Sequence, residues 1–268
     1  MSILAQRRTD PTEQDSGLRR LSKRIKKAIA REFGLYVTRN PYTLVYQEHL
    51  SRLLTTLDIN CVLDVGSHHG EFAKQLRDIG YTKRIISFEP VTANYEILER
   101  QKANDSEWLC YRMALGAKKG TMPIRVFSGT TFNSFLEPTK YGRDRFPEKM
   151  HIERTEPVVI ERLDNILDKL IEGIRDPKIF LKVDTQGYDL EVVRGLGTST
   201  RRISALQIEM TLKPLYEDAT NSFFESVAYL QGLGFRLSGM FPVDFDLTNG
   251  NCPIEMDCVM CRDASQTT

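Results

Sequence analysis

A lysine stands inside an apolar run, Ile179-Phe180-Leu181-Lys182-Val183-Asp184, and this most constrains what the chain can become. The run reads as a strongly apolar, buried strand. An ammonium in such a strand needs a partner, because an unpaired buried charge is expensive. Side chains alternate along a strand, so Lys182 and Asp184 share a face. Glu209, at the end of the next strand (Ala205–Met210), is a second partner for Lys182. Three charged groups at the carboxyl ends of adjacent strands would then point into one crevice. A purely structural ion pair would use the same residues.

The surrounding chain alternates strands with helices. Strands are expected at Cys61–Val65, Arg84–Phe88, Trp108–Leu115, Met122–Phe127, Val158–Ile160, Ile179–Asp184, Ala205–Met210, Phe235–Met240 and Met256–Arg262. Helical periodicity is seen at Phe72–Ile79, Asn94–Lys102, Leu163–Ile171, about 189–195 and Asn221–Leu233. Such alternation implies an α/β fold with a doubly wound, mostly parallel sheet. The last two strands are joined by a loop, which makes one member antiparallel. With 268 residues, 41% of them hydrophobic, the chain can bury one large core without disulfides or a structural metal. The expected divisions are a disordered tail at 1–17, a helical segment at 18–57, the α/β domain at 58–263 and a short tail at 264–268.

Within the helical segment, Leu18, Leu21, Ile25, Ala28, Ile29 and Phe33 recur at helical spacing, and seven Lys or Arg residues fill the other face. This basic amphipathic helix at 18–33 either packs its apolar stripe on the domain or makes a peripheral contact with a membrane or another anionic partner. A net charge of +1 gives no reason to expect nucleic acid. No run of 18 apolar residues exists to span a bilayer. Five cysteines without a secretory leader suit a reducing cytoplasm. Cys258 and Cys261 form a CxxC, but they sit in an apolar strand where cysteine serves as a small hydrophobe.

Two motifs lie where a doubly wound sheet binds ligands, outside the carboxyl ends of its strands. Asp64-Val65-Gly66-Ser67-His68-His69-Gly70 follows the first strand and opens a helix. Gly66 allows a tight turn beside the ligand, and Gly70 allows close helix packing. The dinucleotide pattern needs a further glycine to admit a pyrophosphate. His68 stands there instead, which favours a ligand without phosphates and argues against a nucleotide-dependent oxidoreductase. Glu89-Pro90 ends the second strand about 20 residues later, the spacing at which an acidic residue binds a ribose diol. Met113-Ala114-Leu115-Gly116 closes the third strand; the small Ala114 could leave room for an adenine ring, or it is an ordinary buried strand end.

The stretch Lys182-Val183-Asp184-Thr185-Gln186-Gly187-Tyr188-Asp189 resembles the Lys–Ile/Val–Asp–x–Glu/Gln–Gly–x–Glu/Asp signature of the FkbM methyltransferases. The match continues through Val192-Val193-Arg194-Gly195. The opening Val-Leu-Asp64-Val-Gly66 motif, Phe88-Glu89-Pro90, Arg162-Leu163-Asp164 and the closing Met256–Arg262 are also similar. The resemblance covers roughly residues 58–263. It implies a class I methyltransferase (Rossmann-like) fold with a seven-stranded sheet, S-adenosylmethionine as donor, and O-methylation of a sugar, glycan or natural-product hydroxyl. His68 and His69 replace commoner residues, and the insert at about 130–155, with Tyr141, Arg143, Arg145, Phe146 and His151, does not align.

On that reading Asp64, Gly66, Ser67, Gly70, Glu89, Pro90 and Ala114 serve the cofactor. Asp184 is the general base for the acceptor hydroxyl, or a ligand to an ancillary cation. Lys182 holds and tunes Asp184, or is itself a base with a depressed pKa. Glu209 orients Lys182 or the acceptor, and His68 is a further candidate base. A divalent cation would find oxygen ligands in Asp184 and Glu209, but the sequence shows no complete ligand set. Two rivals remain: a methyltransferase acting on protein or nucleic acid, whose only support is the basic helix, and a non-catalytic module recruited to a membrane, which an intact cofactor loop disfavours.

Overall fold

The computed structural model describes residues 41–262. The expected tails and the basic helix at 18–33 lie outside the described residues. Helix α1 (Pro41–Thr56) leads into a compact unit that begins at Glu48. There follow β1 (Cys61–Val65), α2 (Glu71–Asp78), β2 (Arg84–Phe88), α3 (Thr92–Lys102), β3 (Trp108–Tyr111), β4 (Ala114–Leu115) and β5 (Gly120–Phe127). After a short insert with α4 (Lys140–Arg145) come β6 (Ile152–Glu161), α5 (Leu163–Leu170), β7 (Ile179–Val183), α6 (Asp189–Arg194), β8 (Ile203–Thr211), α7 (Phe223–Gly232), β9 (Phe235–Asp246) and β10 (Cys252–Arg262). No helix among the described residues is long and apolar enough to cross a membrane.

Seven strands form one sheet in the order β3-β2-β1-β7-β8-β10-β9. The β3-β2-β1-β7-β8 run is parallel, and β10 is antiparallel to both its neighbours. This is the doubly wound sheet with one antiparallel strand that the sequence predicts. Order reverses between β1 and β7, so the crevice at their carboxyl ends is the topological switch point where such folds bind ligands. One sheet face is apolar: Leu63, Val65, Ile86, Phe88, Leu181, Val183, Leu206 and Ile208 pack with Leu163, Leu167 and Leu230 from helices.

The opposite face carries a polar row through the same register. Ser87 pairs with Asp64, Asp64 with Lys182, and Lys182 with Gln207. All four are buried.

Two expectations are corrected. The third strand does not run from Trp108 to Leu115; it stops at Tyr111, and Ala114–Leu115 joins a separate three-stranded sheet of order β4-β6-β5. β6 begins at Ile152, because its first residues pair with β5 while staying exposed on both faces, so no apolar alternation marks them.

Arg262 closes the main sheet. Its buried guanidinium donates to the carbonyls of Ile203 (3.3 Å), Leu233 (2.6 Å) and Thr200 (3.0 Å) and lies over the Phe235 ring. It thereby satisfies the end of α7 and the start of β8 together. The Arg262→Lys protein should lose roughly 1–3 kcal/mol in urea unfolding, since an ammonium cannot span three separated acceptors and leaves buried carbonyls unpaired. A loss below about 0.5 kcal/mol would show that Arg262 is not such a tie.

Candidate active site

Two turns meet at the switch point. After β1, Gly66 takes a left-handed φ of 75°, and a Cβ there would lie 1.8 Å from the Asp184 carbonyl oxygen. The turn after β1 and the end of β7 are therefore in backbone contact, which only glycine permits. Gly70 plays a related part at the start of α2: a Cβ would lie 2.7 Å from the Trp108 ring and 2.9 Å from Leu98. The Ser67 hydroxyl is buried between these glycines without a hydrogen-bond partner, and so is the Thr185 hydroxyl just after Asp184. Neighbouring orphaned hydroxyls at a switch point are what a polar ligand would satisfy.

Lys182 is 7% exposed, and its ammonium is 3.5 Å from Asp64, 3.3 Å from Asp184 and 3.2 Å from the Gly66 carbonyl. Burial pulls its pKa down, but Asp184, Asp64 and Asp257 outweigh that and hold it above the usual lysine value. Lys182 is thus a permanent cation and not a base with a depressed pKa. Glu209 is not its partner either. Gln186 stands between the acids, its amide nitrogen donating to Asp184 (3.0 Å) and to Glu209 (3.1 Å). That amide bridges the two residues expected as oxygen ligands of a cation. The Tyr216 hydroxyl lies 3.1 Å from the Gln186 side-chain Oε1 and 2.8 Å from the backbone carbonyl oxygen of Phe132, and its one proton serves one of them at a time.

Asp64 is wholly buried, and its contacts are internal. It accepts from Ser87 (3.1 Å), which accepts from the Trp108 indole (3.0 Å), and its other oxygen faces Lys182. The expected cofactor ligand is therefore a positioning residue, with no surface left for a ligand. Ser87 is the one polar residue of β2 between Ile86 and Phe88, a signal in the sequence that carries this role. Ala114 is likewise corrected: its side chain packs with Val91, Ile124, Phe135 and Ile160 in the core of the small sheet, which uses the surface expected for adenine. Asp184 is different, with 38% of its side chain exposed in the crevice.

Glu89 ends β2 as expected. Its carboxylate accepts from the backbone N–H groups of His68 (2.9 Å) and Val91 (3.0 Å) and lies 3.5 Å from the Asn94 amide. Burial pushes its pKa up to about 7 against those bonds. Pro90 follows between Glu89 and the buried Val91. His68, the further candidate base, is engaged within its own turn by Glu71 and by the insert. Its ring stacks on His69 at 3.6 Å and its Nε2 lies 2.9 Å from the Thr130 hydroxyl. Burial and then His69 hold its pKa below the usual histidine value.

The loop after β7 is shaped by Asp189, fully buried, which accepts from Thr185 N–H (2.9 Å) and Gly187 N–H (3.0 Å). Behind Glu209 on β10 lie Asp257 and Glu255, whose pKa values burial pushes up to about 6 and about 8. Sequence reasoning missed these roles of Asp189, Gln186 and Tyr216. The insert lies close by, with Phe127, Met150, Leu215 and Tyr216 forming its core. Within the unaligned insert, Tyr141 is engaged with Asp246 (3.3 Å) and Arg145 with Asp244 (2.9 Å). The CxxC cysteines are free thiols, Cys258 buried in β10 as expected of a hydrophobic strand.

Lys182→Met should destabilise the protein by about 3–5 kcal/mol, because Asp64 would stay buried without its cation. In a urea-unfolding cycle, adding Asp64→Asn should recover part of that loss; strict additivity would deny the pairing. Gly66→Ala should cost clearly more than Gly80→Ala. Gly80 has a φ of 94° but nothing near its absent Cβ, so its change carries only the roughly 1–2 kcal/mol left-handed penalty. Equal costs would contradict the backbone contact with Asp184.

The model of the methyltransferase FkbM domain matches residues 64–237 of this chain. Methyltransferase sdnD of Sordaria araneosa is 25% identical over 174 residues, 58% of this chain and 67% of that protein. Among solved structures, an rRNA methylase from Streptococcus thermophilus has a TM-score of 0.42 at 9% identity, covering 84% of this chain and 99% of its own. A precorrin-6y C5,15-methyltransferase from Geobacter metallireducens has 0.40 at 10%, covering 79% and 87%. Neither structural score is high enough to bear on this chain's chemistry. The matched family domain spans both turns and every residue of the crevice from Asp64 to Glu209, and the chain belongs to the FkbM methyltransferase family.

Proposed function

We propose that this chain is an S-adenosylmethionine-dependent O-methyltransferase acting on a hydroxyl of a sugar, glycan or natural product. The observation that carries the reading is Asp184: a half-exposed carboxylate at the switch point, held between a buried cation and the Gln186 amide.

The residues present fit the donor. The Gly66 turn leaves no side chain at the crevice floor, and the orphaned Ser67 and Thr185 hydroxyls offer hydrogen bonds. Ser67, Gly66, Gly70 and Glu89-Pro90 would hold the donor, with Glu89 toward its ribose. When bound, S-adenosylmethionine supplies an electrophilic methyl group on a sulfonium sulfur.

The protein's own share is alignment and proton removal. Asp184 receives the hydroxyl proton as the acceptor oxygen forms its bond to carbon. Such proton transfer contributes about 10²–10⁴-fold, and alignment on the order of 7–11 kcal/mol. Lys182, 3.3 Å away, fixes the position of Asp184. Glu209, through Gln186, sets the other side of the same carboxylate. The insert brings Thr130 to the first turn and Ser134 to the backbone carbonyl of Gln186 (2.7 Å), contacts that support a role for the insert in acceptor choice.

Asp184→Asn should bind S-adenosylhomocysteine with an unchanged Kd in calorimetry and lose about 10²–10⁴-fold in turnover. Intact turnover would remove Asp184 from the chemistry. The screen that supplies the acceptor is a methyl-transfer assay over free sugars, lipid-linked glycans and hydroxylated natural products.

A further inference from the structure

The proposed proton transfer at Asp184 does not use His68 or His69, yet both are held by neighbours. With Glu71 they offer three metal-ligating atoms within 4.8 Å of one another, the one such group among the described residues. His68 Nδ1 is 3.4 Å from one Glu71 carboxylate oxygen, and His69 Nδ1 is 3.8 Å from the other. Donors bound to a tetrahedral ion at about 2.0–2.2 Å stand about 3.4 Å apart, so the group is already near the size of one coordination shell.

The far sides of both rings are occupied. His68 Nε2 lies 2.9 Å from the Thr130 hydroxyl, and His69 Nε2 lies 3.3 Å from the Asn94 carbonyl oxygen. The Asn94 amide nitrogen is directed at Glu89, so its oxygen is the atom that faces His69. In the neutral ring, an oxygen acceptor there puts the proton on His69 Nε2 and leaves Nδ1 as a bare lone pair. That lone pair faces a carboxylate, which also only accepts. Two acceptors turned toward each other are complemented by a cation between them. A ligand histidine whose other nitrogen donates to an amide or hydroxyl is the usual supporting arrangement of a metal site.

We propose that His68, His69 and Glu71 bind a borderline divalent transition-metal ion of the zinc, nickel or copper class at the turn between β1 and α2. Two imidazoles and one carboxylate suit such ions, whereas magnesium and calcium prefer all-oxygen sets. Three protein ligands leave further positions to water. The rings stack with 24° between their planes, so bringing both nitrogens onto one ion takes a rotation out of the stack. Side-chain exposures of 20% and 26% leave room for it. The start of α2 carries positive dipole character that opposes a cation, and the Glu71 charge offsets it.

The test uses the full chain without a histidine tag, titrated with cobalt(II) as a spectroscopic stand-in for zinc and with zinc by calorimetry. One equivalent should bind, with visible cobalt bands and no thiolate-to-cobalt charge-transfer band in the near ultraviolet. His69→Ala and Glu71→Gln should each weaken binding by at least about 10-fold, and Thr130→Val, which removes only an outer support, by about 10-fold. Circular dichroism confirms that each variant is folded. Absence of stoichiometric binding, a thiolate band, or equal affinity in folded His69→Ala and Glu71→Gln would overturn the assignment. Metal affinity is read without any methyl acceptor, so the outcome is independent of the methyl-transfer reading.

Discussion

The structure around the crevice depends on one buried ammonium. Lys182 sits at the centre of a row that crosses four adjacent strands: Trp108 donates to Ser87, Ser87 to Asp64, and Lys182 joins Asp64 to Asp184. Burying a lysine and a fully enclosed aspartate costs several kcal/mol per ion unless each is paired. The pairing repays that only with β1 and β7 side by side and in register, which the Asp64–Lys182 register provides. Removing either partner strands a charge, so the row specifies strand order as well as chemistry.

The same pair singles out one carboxylate among many as the proposed base. Asp64, Glu209 and Asp189 are buried and Asp257 is half-buried, and each is engaged by neighbours within the protein. Asp184 alone combines exposure with contact to Lys182 and Gln186. A fixed cation on one side and an amide on the other leave it a single direction in which to accept a proton. The Gly66 turn presses against its backbone and limits where it can move.

Much of this was legible in the sequence. A lone lysine in an apolar strand announced a paired charge, and the alternation of strands and helices announced the sheet and its antiparallel member. The glycines read correctly as points of close approach. What was not legible is which acid each group meets. Lys182 was matched to Asp184 or Glu209; the Asp184 contact is present, but the register puts Gln207 rather than Glu209 beside Lys182 and Asp64 on its other side. Asp64 read as a ligand-facing residue because its motif borders the turn; that it points into the protein depends on Ser87, one strand away. Ala114 was misplaced because two residues break β3 from β4, and the break sends the chain to a different sheet. Of β6 only Val158–Ile160 was legible, because its first residues carry no apolar alternation, and nothing in the sequence of the insert pairs Tyr141 and Arg145 with Asp246 and Asp244 of β9.

The most direct measurement is a crystal structure of the protein with S-adenosylhomocysteine. The account predicts the ligand across the carboxyl ends of β1, β2 and β7, its ribose at Glu89 and its sulfur facing the Asp184 carboxylate. A ligand seated away from those strand ends, or with its sulfur turned from Asp184, would contradict it.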